Sequence, residues 1–174
     1  MAYVWLINGI PGSGKTSTAR ALAARLPRAA HIEGDRLQDS IISGSVPPGG
    51  LPREEEERQI HLNVHNQCLL ADSFSREDIT PVIDYVIINP DRLEEYRKHL
   101  PKLILNLVTL SPGIPTALER DLQRPDKTVA QMWTHLDEIM RRELNGVGLW
   151  LDNSTFTIEE TVDYILNHQE EARI

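Results

Sequence analysis

The pattern that most constrains this chain is a glycine-rich run between a strand-like segment and a helix-like one. The run covers residues 9–16, with the sequence GIPGSGKT. It follows Tyr3–Asn8, an apolar and β-branched segment typical of a buried strand, and leads into residues 15–26, whose alanines and leucines recur at helical spacing. A strand that turns through glycines into a helix gathers backbone N–H groups and the positive helix end around one point. The pattern therefore predicts an anion-binding turn at the end of a buried strand.

The same run matches the phosphate-binding pattern G-x-x-x-x-G-K-[ST]. In such loops backbone N–H groups surround the phosphates, the lysine reaches the β- and γ-phosphates, and the final hydroxyl binds Mg²⁺. We therefore predict that the chain binds a nucleoside triphosphate, ATP with Mg²⁺, with Lys15 on the phosphates and Thr16 on the metal. The predicted nucleotide-binding residues are Gly9, Pro11, Gly12, Ser13, Gly14, Lys15, Thr16 and Ser17.

The distribution of charge agrees with a compact anionic ligand. The 174-residue chain has a net charge of −8, yet residues 1–30 contain four basic residues and no acidic one, so that this window carries +4 and the remainder −12. The acidic remainder argues against a general nucleic-acid binder, because a phosphate backbone attracts a basic surface.

The lack of recognisable targeting signals and the single cysteine predict a cytoplasmic protein without membrane contact. No apolar run approaches the roughly 20 residues of a membrane span, and the first residues lack the basic and apolar regions of a signal peptide. The single cysteine, Cys68, cannot form an internal disulfide and lies in an apolar helical stripe, so we expect it in the core. Both a monomer and a homodimer agree with this composition.

Strand-like and helix-like segments alternate along the whole chain, which predicts an α/β fold. A parallel sheet covered by helices on both faces is expected, as a single domain over residues 1–174. Functional residues should follow the strands, because such sheets bind ligands beyond the carboxyl ends of their strands. The strand patterns cover residues 3–8, 29–33, 81–88, 103–110 and 148–152. The helical patterns cover 15–26, 36–43, 53–72, a stretch after Asn89-Pro90, 114–123, 128–144 and a stretch after the Thr157/Glu160 capping pattern.

One carboxylate stands inside an apolar strand pattern. Asp84 lies in the sequence VIDYV, where an unpaired carboxylate would be costly. Magnesium, reached through water, is one candidate partner, and a nearby arginine or lysine is the other.

Several features together resemble a known family. They are the loop at 9–16, the sequence IEGD at 32–35, the sequence VIDY at 82–85 and the five-strand layout. These resemble the small P-loop kinases, which include shikimate kinase, gluconate kinase, chloramphenicol phosphotransferase and adenylate kinase, and bacterial gluconate kinase-like proteins most of all. The resemblance implies a three-layer α/β sandwich with a five-stranded parallel sheet in the order 2-3-1-4-5. It also implies ATP-dependent transfer of the γ-phosphoryl group to a hydroxyl of a small molecule, with an acceptor-binding segment at about 36–75 and a lid at about 114–144.

The resemblance implies roles for three acidic residues beside the loop. Asp35 would accept the proton of the attacking hydroxyl, although an Asp before an apolar helix is also typical of an N-cap. Glu33 would lie near Mg²⁺, and Asp84 would take the Walker B role of holding the metal through water.

The resemblance also implies roles for arginines. Arg120 and Arg124, four residues apart on one helical face, would close with the lid and neutralise charge on the transferred phosphoryl group. A surface ion pair with a neighbouring acidic residue is the alternative. Arg36 would either contact an anionic substrate or stay solvated, and residues 152–155 either pack the adenine or simply form a turn.

Two other functions are consistent with the loop. The sequences IPGSGKT at 10–16 and INPDR at 88–92 are similar to a phage polynucleotide kinase, but the acidic balance and Gln38, where that enzyme has an arginine, argue against a polynucleotide 5′-hydroxyl kinase. A nucleotide-binding regulatory protein without phosphotransfer is the second, although the chain has no N-K-x-D guanine-reading motif. For a kinase, a sugar acid, an antibiotic hydroxyl and a nucleoside are all open as acceptors.

Overall fold

The computed structural model of the chain describes residues 2–123 and 129–174. Its strands form one five-stranded parallel sheet in the order β2-β3-β1-β4-β5, so the predicted order is confirmed. β1 is central and pairs with β3 on one side and β4 on the other. The strands are β1 (Tyr3–Asn8), β2 (Ala29–Glu33), β3 (Thr80–Asp84), β4 (Ile104–Leu110) and β5 (Leu149–Leu151).

Helices cover both faces of the sheet, because the alternating side chains of β1 enter two different apolar clusters. Val4 and Leu6 pack in a cluster with α3 and α4 residues, whereas Trp5 and Ile7 pack with residues of α1 and α8. Cys68 is buried in the first cluster, as expected. The helices are α1 (Lys15–Arg25), α2 (Gly34–Gln38), α3 (Arg53–Arg76), α4 (Pro90–His99), α5 (Ile114–Leu122), α6 (Ala130–Trp133), α7 (His135–Glu143), α8 (Ile158–Asn167) and α9 (Gln169–Ala172).

The third strand ends earlier than the predicted range 81–88. Its last residue is Asp84, although the backbone N–H of Tyr85 still donates to the carbonyl of Ile7 at 3.2 Å. Beyond Tyr85 the chain is bound to β1 by a side chain. Asn8 accepts a hydrogen bond from the backbone N–H of Ile87 at 2.8 Å and donates to the carbonyl of the same residue at 3.0 Å. Asp84 therefore stands at the carboxyl end of its strand and not inside it.

Two predicted helices are also shorter or divided. The helix expected at 36–43 is α2, which begins at Gly34 and ends at Gln38, where the chain leaves through turn hydrogen bonds of Ser40 and Ile41. The helix expected at 128–144 is divided at Thr134 into α6 and α7. The predicted caps are confirmed: Asn89 accepts from Arg92 at the start of α4, and Thr157 and Glu160 form a capping box at α8.

The strand register brings the ends of β1, β2 and β3 to one edge of the sheet. Asp84 is the register partner of both Ile7 in β1 and Glu33 in β2. The glycine-rich loop leaves β1 at this edge, and α2 leaves β2 there. Among the described residues, no helix combines the length and apolar character needed to cross a bilayer.

Candidate active site

The glycine-rich loop is held in a tight turn against α5. Gly12 and Gly14 have φ values of +84° and +97°, which L side chains rarely adopt. A Cβ on Gly12 would lie 2.1 Å from the carbonyl oxygen of Ala117 in α5, so the loop backbone touches this helix directly. Lys15 is buried, and its Nζ donates to the carbonyl of Ile10 at 3.2 Å.

The loop leads directly into the positive end of α1. Gly14 precedes the helix in a left-handed conformation and offers no side chain to cap the first turn, which also contains no acidic residue. The first N–H groups of α1 are thereby left for a ligand on the loop side. Together with the glycine backbone, this arrangement suits the phosphates of a nucleotide.

Thr16 and Asp84 meet at the same edge. The Thr16 hydroxyl donates to Oδ2 of Asp84 at 2.7 Å, while Nε2 of His31 lies 2.5 Å from Oδ1 of the same carboxylate. Asp84 is only 4% exposed, and each oxygen of this buried carboxylate has a hydrogen-bond partner. The partner on Oδ1 is a histidine of β2 and not the arginine or lysine that the sequence had left open.

The oxygen donors at this edge fit a magnesium site of the kind completed by a nucleotide. Mg²⁺ prefers hard oxygen ligands and is typically held by one or two carboxylates together with substrate phosphates. Thr16 and Asp84 supply such oxygens beside the loop. Glu33, the third predicted metal residue, lies on the neighbouring strand and forms ion pairs with Arg20 and Arg36, both at 3.6 Å. Within residues 2–123 and 129–174, no group of three or more His, Cys, Asp or Glu side chains converges on a metal position.

Asp35 lies in the first turn of α2 with an exposed side chain. The N-cap residue of this helix is Glu33, which makes no side-chain capping hydrogen bond, so capping does not explain Asp35. Burial first of all raises the pKa of Tyr85 to about 12, and the negative charge of Asp35 adds to this effect, so Asp35 lies near this phenol. Asp35 therefore faces solvent two residues beyond the end of β2, beside the edge formed by Thr16 and Asp84.

Arg120 lies beside the glycine-rich loop and the turn after β5. Its guanidinium donates to the carbonyl of Asn153 at 2.8 Å and, at 3.5 Å, to the carbonyl of Ser13. It lines a cavity of about 380 Å³ together with residues of the loop, α1 and the start of α8, including Gln123, Phe156, Thr157 and Thr161. Arg124, the other predicted lid arginine, lies outside the described residues.

Residues that the sequence patterns did not single out hold this site together. Asn153 donates from Nδ2 to the carbonyl of Ser13 at 3.1 Å, which fixes the turn after β5 to the loop. Asn8 fixes residue 87, and His31 contacts Asp84. The sequence around His31 predicts a strand but not its contact with Asp84. That contact arises because β2 and β3 pair in this parallel register.

The segment expected to bind the acceptor is organised by polar side chains of α3. Gln59 binds residues Gly44 and Val46 of the following loop, and Glu56 accepts from the N–H of Gly49. Deeper in the molecule, Asn63 donates to the carbonyl of Gly34 at 3.0 Å. The sequence predicted only the apolar face of α3, and this polar face was missed because amides at helical spacing look like a solvated surface.

Solved structures with a similar fold include small kinases. A sugar kinase from Janibacter sp. HTCC2649 superposes with a TM-score of 0.74 at 16% identity, covering 99% of this chain and 96% of that one. A gluconokinase from Sinorhizobium meliloti 1021 gives 0.71 at 19% identity, covering 97% and 91%. The tunicamycin resistance protein of Deinococcus radiodurans gives 0.68 at 19% identity, covering 99% and 98%.

No family model matches the sequence, and a search of curated proteins finds no match either. At these low identities the structural likeness shows the fold. The resemblance read from the motifs is therefore confirmed at that level: over nearly its whole length, the chain has the α/β fold of the small P-loop kinases, with its sheet in the order 2-3-1-4-5.

Proposed function

We propose that this protein is an ATP-dependent kinase that transfers the γ-phosphoryl group to a hydroxyl of a small molecule. The observation that carries the proposal is the register of β2 with β3. It aligns Glu33 with Asp84, so Asp35 follows β2 at the edge where Thr16 binds Asp84 beside the loop. A phosphate cradle, a metal-holding carboxylate and an exposed carboxylate at one edge are the parts that phosphoryl transfer requires.

The donor half of the site consists of the loop together with the hydroxyl and carboxylate groups at the same edge of the sheet. The backbone of residues 9–16 and Lys15 would bind the phosphates, and Thr16, Asp84 and Glu33 would hold the metal. Bound Mg²⁺ would neutralise charge on the β- and γ-phosphates. Arg20 and Arg36, paired with Glu33, would orient that carboxylate.

The acceptor half begins at Asp35. Phosphoryl transfer needs little covalent assistance, so the carboxylate would mainly orient the attacking hydroxyl and take up its proton. Its exposure supports this role, because the group is open to a molecule that approaches from solvent.

The two arginines contribute on the lid side. The contacts of Arg120 with Ser13 and Asn153 support a position beside the loop and the nucleoside cavity, from which its charge acts on the bound triphosphate. Arg124 is proposed to act with it.

The proposal is tested by incubating the protein with γ-labelled ATP and a total metabolite extract, and detecting the labelled product by mass. We expect a phosphorylated small molecule that forms only with intact protein, ATP and Mg²⁺. A 5′-hydroxyl oligonucleotide is included as a separate acceptor. Labelling of the oligonucleotide alone, or tight ATP binding with no transfer to any acceptor, would contradict the proposal.

A further inference from the structure

A buried amide close to Asp35 lacks the partners that its neighbours have. Gln38, the last residue of α2, is 6% exposed, and neither its Nε2 nor its Oε1 has a hydrogen-bond partner. Within the residues that the structure describes, it alone leaves both atoms of a buried amide unpaired. A buried amide without partners is unfavourable, so the group is out of keeping with a purely structural role.

The neighbouring buried amides are fully used. Asn63 donates to the carbonyl of Gly34 and accepts from Gln67 at 3.2 Å, and Gln67 in turn accepts from the hydroxyl of Tyr96. Gln59 uses its oxygen on Val46 and its nitrogen on Gly44. The packing between α2 and α3 can thus satisfy amides, and it does so at every one of these positions except Gln38.

The position of Gln38 places it within reach of a molecule bound at Asp35. The two residues are three apart on α2, where side chains are neighbours at about 5–6 Å between Cβ atoms. Gln38 shares its helical face with Gly34, whose missing Cβ would lie 2.5 Å from the ring of Tyr85. The amide of Gln38 and the ring of Tyr85 therefore both lie close to Asp35.

The charged groups of the acceptor segment disfavour an anionic ligand. Residues 36–75 contain three basic and six acidic residues, a net charge of −3. Each of the three arginines already forms an ion pair, so a carboxylate or phosphate would meet a cation whose charge is already balanced by a glutamate. The pairs are Arg36 with Glu33 at 3.6 Å, Arg53 with Glu56 at 2.7 Å and Arg58 with Glu55 at 2.7 Å.

We propose that the phosphoryl acceptor is an uncharged molecule with several hydroxyl or amide groups, and that the side-chain amide of Gln38 recognises one of them by donating and accepting hydrogen bonds. An amide offers both a donor and an acceptor, which matches a hydroxyl or an amide but does not neutralise a charge. This inference rests on the proposed kinase function and narrows its acceptor, with sugar acids and phosphorylated acceptors excluded.

The test divides the metabolite extract by passage over anion- and cation-exchange resins and offers each fraction separately with γ-labelled ATP and Mg²⁺. We expect the labelled product from the uncharged fraction. A product that forms only from the anion-retained or cation-retained fraction would overturn the inference and leave the kinase function standing. The absence of product from every fraction would overturn the proposed function itself, so the two failures are distinguishable.

The role of Gln38 is then measured with the acceptor so identified. Gln38→Leu should raise the KM for the acceptor about tenfold, the loss of a typical neutral hydrogen bond, with the KM for ATP unchanged. The melting temperature should not fall, since the variant removes an unpaired amide. Asp39→Asn, which changes the adjacent exposed residue, is the control and should leave the acceptor KM as it is. An unchanged KM in Gln38→Leu, or a raised acceptor KM in Asp39→Asn, would refute this assignment.

Discussion

At the scale of single residues, the site depends on backbone positions that tolerate no side chain and on carboxylates fixed by unexpected partners. Gly12 illustrates the first. Its φ of +84° favours glycine, and a Cβ at this position would lie 2.1 Å from the carbonyl oxygen of Ala117. Both facts restrict the position to glycine. Asp84 illustrates the second, since Thr16 and His31 each bind one of its oxygens.

Gly12→Ala should destabilise the protein more than a Gly→Ala substitution at a position that has a positive φ but no close neighbour. Gly146 is the matched control, because its φ is +72° but nothing lies within 4 Å of its Cβ position. We expect Gly146→Ala to lower the free energy of unfolding by about 1–2 kcal/mol, and Gly12→Ala to lose about 1–3 kcal/mol more through the contact with α5. Chemical denaturation of both variants measures the difference. Equal losses would show that α5 does not press on the loop.

His31→Phe should weaken nucleotide binding only when Mg²⁺ is present. The histidine holds Oδ1 of Asp84, and loss of a residue that orients a metal-binding carboxylate typically costs about 10–100-fold in metal affinity. Titration calorimetry with ATP, in Mg²⁺ and separately in EDTA, measures the two affinities. His65→Phe, which changes a half-buried histidine of α3 that contacts His99, is the control. An equal loss of affinity in EDTA would indicate a general structural defect instead.

At the scale of elements, the least regular part of the molecule is the one expected to bind the acceptor. Residues 39–52 contain no helix or strand and are held on α3 by Gln59 and Glu56. The same loop reaches α6, since a Cβ on Gly49 would lie 2.9 Å from the Trp133 ring. The loop at 39–52 and α6 are therefore in contact.

The anchoring of this loop by Glu56 should depend on pH. Burial alone would raise the pKa of Glu56, but hydrogen bonds from Arg53 and the Gly49 N–H outweigh it and lower that pKa. A carboxyl with a lowered pKa stabilises the fold above its unfolded pKa, about 4.3 for glutamate, and this contribution is lost as the pH falls through the folded value.

Glu56→Gln should therefore flatten the fall of the free energy of unfolding below about pH 4.3. The measurement is urea denaturation of wild type and variant at several pH values between neutrality and this acid range. Glu54→Gln changes an exposed carboxylate in the same turn of α3 and should keep the wild-type slope. A Glu56→Gln slope equal to that of wild type would mean that this carboxyl does not anchor the loop.

Periodicity and turn chemistry predicted the elements because these signals are local. The Asn89 cap was predicted from Asn89 and the proline after it, and the capping box from Thr157 and Glu160. The strand at Tyr3–Asn8 was predicted from its apolar run. The end of β3 at Asp84 could not be predicted in this way, because the Asn8 side chain that binds Ile87 lies 79 positions away in the sequence.

At the scale of the whole molecule, charge and fold agree on where the proposed nucleotide would bind. The basic first 30 residues contribute β1, the loop and α1, and the acidic remainder surrounds them. The motif at 9–16 and Asp35 could be identified from the sequence because the resemblance is tied to short local patterns. The contacts of His31 and Asn153 and the burial of Gln38 could not, because they arise only where parallel strands and packed helices bring distant residues together.

The measurement that tests the central claim most directly is single-turnover phosphoryl transfer by Asp35→Asn to the acceptor identified with the wild type. The variant keeps the shape of the side chain and removes the proton acceptor. We expect ATP to bind with wild-type affinity and transfer to slow by about 10²–10⁴-fold, the usual contribution of general base catalysis. Transfer at a rate close to that of the wild type would contradict the account, because the carboxylate at the end of β2 would then not be the acceptor half of the site.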